Sequence, residues 1–143
     1  MCRLRMWMLA ATVGLVATAA FAQSVKYASV EAVAGKALRL SYHASVHKDC
    51  RPGRAPSVRV LEPPSSGTLT VRPAVLTTQR VAGCPPVKAP AQVIYYESRA
   101  GHAGSDHVKY EVTSENGEVT TYDTAIAVKA ATPPSPPSNT RDL

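Results

Sequence analysis

The sequence predicts an all-β protein, a sandwich of about seven short antiparallel strands that carries one disulfide. Three observations support this fold class. Apolar and polar residues alternate with a period of two in several segments, whereas no window shows an apolar repeat at helical spacing. Proline or glycine interrupts the chain about every ten residues, as expected where turns join short strands. Two cysteines remain when the N-terminal segment is set aside.

That N-terminal segment, residues 1–22, has the pattern of a cleaved secretory signal peptide. Two arginines precede an apolar run from Met6 to Ala20, and Ala20-Phe21-Ala22 supplies the small residues that a signal peptidase requires. The alternative, a retained membrane anchor, is disfavoured because the run is too short to span a bilayer comfortably. We therefore expect an exported protein, periplasmic or secreted, with no membrane span after cleavage.

Cys50 and Cys84 are the cysteines that remain after cleavage. Export would carry them into an oxidising compartment, where a Cys50–Cys84 disulfide is expected. Such a bond would close a loop of about 35 residues, which the chain-entropy account values at about 3.8 kcal/mol at most. The sequence therefore predicts that this disulfide provides a large share of the stability of a small domain.

The alternating segments define one domain, residues 23–130. A stretch over residues 74–90 is interpreted as a long loop fixed by Cys84, and residues 131–143, rich in Pro and Ser, are predicted to form a disordered tail. Ser114-Glu115-Asn116-Gly117 predicts a tight hairpin, because Asn-Gly accepts positive φ. The predicted strands are residues 25–33, 37–46, 57–61, 68–72, 92–97, 107–113 and 118–128.

The segment from Asp106 to Val112 has the pattern of a tyrosine corner. In immunoglobulin-like sandwiches the tyrosine, here Tyr110, is buried where a loop enters a strand, and its hydroxyl bonds to upstream backbone. Asp106 would accept backbone N–H groups in the same turn. Val112 occupies the position of the second cysteine of antibody domains, so the predicted disulfide must lie elsewhere, in loops. These residues favour an immunoglobulin-like antiparallel β-sandwich.

The stretch from Tyr96 to Gly117 resembles the C-terminal signature of bacterial cadherin-like and immunoglobulin-like repeat domains. The segment Pro63–Leu69 is similar to the proline-to-glycine turn that precedes a Thr-Leu strand in that family. The resemblance implies the same kind of sandwich. Ser114 stands where the family often has an acid, and the carboxylates are scattered, so calcium binding is not expected. The matching positions are Gly101, Gly104, Asp106, Tyr110, Val112 and Gly117.

Basic residues are concentrated between Lys48 and Lys88, where seven Lys and Arg accompany two acidic residues. The formal net charge is +6, or +4 without the two arginines of residues 1–22. We interpret Lys48, Arg51 and Arg54 as a binding surface for an anionic envelope polymer or an acidic protein. The alternative is solubilising charge on loops and edge strands. Nucleic acid is not expected as a partner of an exported chain with few aromatic residues.

Four histidines raise an alternative function, a small periplasmic metal-binding protein. His43 and His47 lie about 13 Å apart along one strand face, too far to share a zinc ion, and are interpreted as facing solvent. A weak copper or zinc site would need His43, His47, His102 and His107 together.

Enzymatic activity is not predicted, because the chain has no G-x-S-x-G motif and no candidate pair of catalytic carboxylates. Glu115 and Glu118 flank the predicted hairpin and are interpreted as solvated. The sequence thus favours a non-enzymatic binding or structural module of the bacterial cell envelope, with no cofactor.

Overall fold

A computed structural model describes residues 23–134, which contain seven strands and no helix. Between these residues there is accordingly no helix that could cross a membrane. The predicted signal peptide, residues 1–22, lies outside the described residues, and the predicted tail is described only as far as residue 134. The strands are β1 Gln23–Val33, β2 Ala37–Ala44, β3 Ser57–Glu62, β4 Gly67–Thr78, β5 Val87–Ser98, β6 Gly104–Thr113 and β7 Val119–Lys129.

The strands form two sheets that face each other, one in the order β1-β7-β6-β3 and the other in the order β2-β5-β4. The predicted all-β sandwich with one disulfide is confirmed. All neighbouring strands are antiparallel except β1 and β7, which pair in parallel. The reason is that the short turn after β1 carries the chain into the other sheet, which leaves β1 beside the last strand and parallel to it.

Strands β4 and β5 are longer than the sequence pattern indicates. They pair through most of the stretch 74–90 that was interpreted as a long loop, and only residues 79–86 connect them. Pro73 is tolerated because β4 is an edge strand. Pro90 is tolerated because it comes one residue before Ala91, the first residue of β5 that pairs with β2. Proline therefore did not mark the strand ends here.

The core lies between the two sheets and is built by alternate residues of the central strands. In β6 every second residue from Asp106 to Val112 is buried, as the period of two requires. Burial of each large apolar side chain contributes about 1.5–3 kcal/mol. The largest fully buried side chains are Tyr96, Tyr110, Ile94, Ile126 and Val108.

Tyr110 is buried, but it lies well inside β6 rather than where a loop enters the strand. Its hydroxyl is 2.8 Å from Ser41 Oγ on β2, so it bonds to a side chain of the opposing sheet and not to upstream backbone. Its ring stacks on Tyr122, with 5.2 Å between ring centroids. Tyr110 therefore joins the two sheets, whereas the sequence pattern predicted a local corner.

Asp106 ties together three separate parts of the chain. Its carboxylate accepts hydrogen bonds from the Tyr96 hydroxyl at 2.8 Å and from the backbone N–H groups of Ser65, Ser66 and His107 at 2.9–3.1 Å. Ser65 and Ser66 belong to the β3–β4 turn, so most of this hydrogen bonding is not within the turn that precedes Asp106. Burial by itself would raise the pKa of Asp106, but these hydrogen bonds outweigh it and hold the pKa below its ordinary value.

A bulge in β2 determines which way its polar residues point. Arg39 pairs with Tyr95 and Ser41 with Ile94, which leaves Leu40 as an extra residue. Because side chains alternate with a period of two, the extra residue turns the following polar positions towards the opposing sheet. His43 is consequently only 8% exposed. The prediction that His43 faces solvent is therefore wrong.

Candidate functional site

Three connections meet at one end of the sandwich, and we refer to this region as the loop end. They are residues 45–56 between β2 and β3, residues 79–86 between β4 and β5, and residues 114–118 between β6 and β7. The disulfide between Cys50 and Cys84 joins the first connection to the second, with 5.4 Å between the Cα atoms. The predicted pairing is therefore confirmed, and it fixes two long connections relative to each other.

Glu115 fastens the third connection to the first. Its carboxylate accepts the backbone N–H of Arg54 at 3.1 Å and lies 3.2 Å from His47 Nε2. Gly53 makes this close approach possible, because a Cβ atom there would lie 2.5 Å from Glu115 Oε2 and 2.9 Å from Ser45 Cβ. The interpretation of Glu115 as merely solvated is therefore wrong: its side chain is 25% exposed and holds the β2–β3 connection in place.

The three basic residues selected from the sequence lie on the β2–β3 connection. Arg51 is 3.5 Å from Asp49, and Arg54 Nε is 3.5 Å from Glu115. The arginine side chains are 82% and 87% exposed, so solvent weakens both ion pairs and the guanidinium groups stay accessible. Lys48 is exposed on the same connection. The loop end thus presents the predicted basic surface on a fixed backbone.

A hollow of about 430 Å³ opens between the three connections of the loop end. Polar side chains from all three line it, among them His47, Arg80 and Asn116. Arg80 also lines a second hollow of about 410 Å³, which lies between β1 and β2 at the open edge of the sandwich. We refer to this second hollow as the edge cleft. The sequence did not indicate it, because its residues come from distant parts of the chain.

The four histidines lie in different environments. His43 lies between the sheets, His47 at the loop end, and His102 in the β5–β6 connection. His107 lies on the outer face of the first sheet, where its Nε2 is 2.6 Å from Asp123. Hydrogen bonding to His107 holds the pKa of Asp123 below its ordinary value. Within residues 23–134 no group of three or more His, Cys, Asp or Glu side chains is arranged to hold a metal ion.

His43 forms the floor of the edge cleft. Its Nε2 is 3.0 Å from Ser41 Oγ, and its ring centroid is 4.8 Å from that of Tyr122. Burial, together with the positive charges of Arg80 and Lys26, lowers the pKa of His43 from 6.5 to about 4. The imidazole is therefore neutral at neutral pH, and the nearby cations of the cleft disfavour its protonation.

We expect the free energy of unfolding to fall as the pH is lowered from about 6.5 to about 4. In this window the unfolded chain binds a proton at His43 that the folded protein excludes, so protonation favours unfolding. The loss due to His43 is on the order of 2 kcal/mol, at about 1.4 kcal/mol per pKa unit with a reduction for solvent screening. Urea denaturation across this pH range measures it.

The matched variant for this measurement is His43→Gln, which keeps a polar side chain but cannot be protonated. Its stability should depend less steeply on pH than that of the wild type over the same window. If the two proteins lose stability in parallel on acidification, His43 is not the buried neutral group that the structure indicates.

The chain has no match among protein-family models, and a search of curated proteins also finds no match. Its function is therefore inferred from the chemistry of the loop end and the edge cleft.

Proposed function

We propose that the protein is a non-enzymatic binding module of the bacterial cell envelope, periplasmic or secreted, that contacts an anionic envelope polymer or an acidic protein. One observation carries this proposal: the disulfide and Glu115 fix three connections at one end of the sandwich, and that end presents the exposed cations Lys48, Arg51 and Arg54. Connections held by a rigid β scaffold are a common location for binding residues.

Export is the second part of the proposal. The pattern of residues 1–22 supports it, as does the Cys50–Cys84 disulfide, because such bonds form and persist mainly in oxidising compartments. An anionic partner is in keeping with this location, since attraction between a basic surface and a polyanion needs no precise pocket.

A relation to bacterial immunoglobulin-like and cadherin-like modules is the third part. The strand order supports it. In immunoglobulin-like sandwiches the second, fourth and fifth strands lie in one sheet and the third, sixth and seventh in the other. The same partition occurs here, with the first strand added beside the seventh. The six positions that match the family signature also support this relation, although Tyr110 bonds to Ser41 instead of upstream backbone.

The proposal is tested by retention of the purified protein on immobilised polygalacturonate, on polyglutamate and on neutral dextran. We expect retention on at least one polyanion and elution by salt, since salt screens charges over a Debye length of about 8 Å at physiological ionic strength. Changing Lys48, Arg51 and Arg54 to Glu should weaken retention about tenfold or more, if each exposed cation contributes about 0.5 kcal/mol. Retention on polygalacturonate supports an anionic envelope polymer as the partner. Retention on polyglutamate supports an acidic protein as the partner.

A matched control changes Lys36, Arg72 and Lys129 to Glu, which alters the net charge equally but leaves the loop end intact. Lys36 lies in the β1–β2 turn, Arg72 on β4 and Lys129 at the end of β7. This control should lose much less retention than the loop-end variant. Equal losses would attribute binding to net charge, and no retention on either polyanion would overturn the proposal.

A further inference from the structure

The edge cleft gathers three cations from three separate elements. Lys26 comes from β1, Arg39 from β2 and Arg80 from the β4–β5 connection. Among the residues that line the cleft there is no carboxylate. Nor does any of the three cations form an ion pair with an acidic side chain elsewhere in residues 23–134. The cleft is therefore positively charged without an internal counter-ion.

This arrangement contrasts with the outer face of the first sheet, where cations are paired. Arg59 lies 2.6 Å from Glu111, and Lys109 is 3.4 Å from Glu62. Three like charges around one hollow repel each other, and a bound anion would relieve the repulsion. The missing counter-charge thus points to an anionic ligand for the cleft.

Aromatic rings hold the cations in position. Two guanidinium groups lie near the ring of Tyr42, that of Arg80 at 4.6 Å and that of Arg39 at 5.6 Å from the ring centroid. Lys26 Nζ lies 5.8 Å from the ring centroid of Tyr122. Contacts within about 6 Å are attractive. Side chains that are already held lose less conformational freedom when a ligand binds. The cleft is thus partly organised for binding before a ligand arrives.

The floor and size of the cleft suit a small polar ligand. Ser41 and His43 form the floor, and both side chains can form hydrogen bonds. The volume of about 410 Å³ falls within the range of about 300–1,000 Å³ found for small-molecule sites. Guanidinium groups bind phosphate through paired hydrogen bonds, and lysine adds a compact charge.

We propose that the edge cleft binds a dianionic phosphate group, carried either by a small phosphorylated molecule or by a phosphate-containing polymer. Three unpaired cations match the two negative charges of a phosphate dianion better than they match the single charge of a carboxylate. Arg39 and Arg80 bind the phosphate oxygens, and Lys26 neutralises the remaining charge. This inference goes beyond the proposed function, because the edge cleft lies at the open edge of the sandwich and adds a ligand class and a second set of residues.

The experiment titrates the protein with glucose 6-phosphate, with polyphosphate and with glucose as the neutral control. NMR resonances of the His43 and Tyr122 rings report binding inside the cleft. We expect saturable shifts with at least one phosphorylated probe and none with glucose. If glucose 6-phosphate binds more strongly, the source of the phosphate is a small molecule. If polyphosphate binds more strongly when affinity is expressed per phosphate group, the source is a polymer.

Substitutions separate the cleft from bulk charge. Arg39→Gln and Arg80→Gln should each weaken phosphate binding about tenfold or more, since each removes charge-assisted hydrogen bonds. Arg80→Lys keeps the charge but loses the paired geometry, so its affinity should lie between those of the wild type and Arg80→Gln. A matched control, Lys48→Gln with Arg51→Gln, removes charge at the loop end and should leave phosphate binding unchanged.

The outcomes distinguish this inference from the proposed function. Retention on a polyanion without any phosphate-induced shift of His43 or Tyr122 overturns the cleft inference alone. Equal weakening of phosphate binding by the cleft variants and by the loop-end control also overturns it. Phosphate binding in the cleft without retention on either polyanion overturns the proposed function and leaves the cleft inference standing.

Discussion

Replacing Asp106 with alanine is expected to lower the free energy of unfolding by about 3–5 kcal/mol, because it leaves one buried hydroxyl and three part-buried backbone N–H groups without an acceptor. The Tyr96 hydroxyl is the most affected, since Tyr96 is fully buried and donates to Asp106 at 2.8 Å. The N–H groups of Ser65 and Ser66 lose the same acceptor, which weakens the attachment of the β3–β4 turn to β6. Such a loss is a large share of the roughly 5–15 kcal/mol of a typical domain.

Urea denaturation at neutral pH measures this effect, with two variants for comparison. Asp106→Asn keeps the size and one acceptor oxygen, so its loss should be smaller than that of Asp106→Ala. Asp49→Ala removes an aspartate that is 59% exposed and contacts Arg51, and it should change stability by no more than about 0.5 kcal/mol. If Asp106→Ala costs no more than Asp49→Ala, then Asp106 does not hold these segments together.

The low pKa of Asp106 adds a pH dependence to this prediction. A carboxylate with a pKa below its ordinary value of 3.8 contributes stability above that pH, and the contribution is lost as the pH falls through the lower value in the folded protein. This acid-induced loss occurs below the window assigned to His43. It should therefore disappear in Asp106→Ala and persist in His43→Gln.

Removal of the disulfide by Cys50→Ala with Cys84→Ala is expected to lower the free energy of unfolding by about 3 kcal/mol, because the unfolded chain regains the freedom of a long loop. The two residues are 34 positions apart in the chain. The same variant should also bind polyanions more weakly although every cation remains, since the β2–β3 connection must then become ordered on binding. Denaturation and polyanion retention measure the two effects.

Reduction of the wild type with dithiothreitol provides a chemical control for this variant. Reduction should destabilise the wild type to the level of the double variant and should leave the double variant unchanged. Unaltered polyanion retention in the double variant would mean that Glu115, through His47 and Arg54, is sufficient to hold the loop end.

The fold class and the disulfide could be predicted because both depend on local or simple features of the chain. The alternation of Val108, Tyr110 and Val112 with polar residues reports a strand with one buried face, whichever strand it pairs with. With two cysteines left after the predicted cleavage, only one internal pairing is available to them. Strand ends were less predictable from the prolines. A proline ends a strand only where a neighbouring strand needs the backbone N–H that proline lacks, and Pro73 and Pro90 both lie inside paired strands.

The candidate site was only partly predictable. Lys48, Arg51 and Arg54 were found because they are close together in the sequence, on a connection that contains Cys50. Glu115 was misinterpreted because its partners lie about 60 residues away, as the separation of 61 between Arg54 and Glu115 shows. The number of residues between two groups does not indicate whether turns meet at one end of a sandwich.

The sequence by itself thus determined an all-β domain, its alternating strands and its one disulfide. Only the tertiary structure decided the direction of His43, the parallel pairing of β1 with β7, and the meeting of Lys26, Arg39 and Arg80 in the edge cleft. The physical reason is the range of the interactions. Alternation and turns are properties of adjacent residues, whereas a one-residue bulge reverses a strand's faces and sheet packing brings together residues from distant parts of the chain.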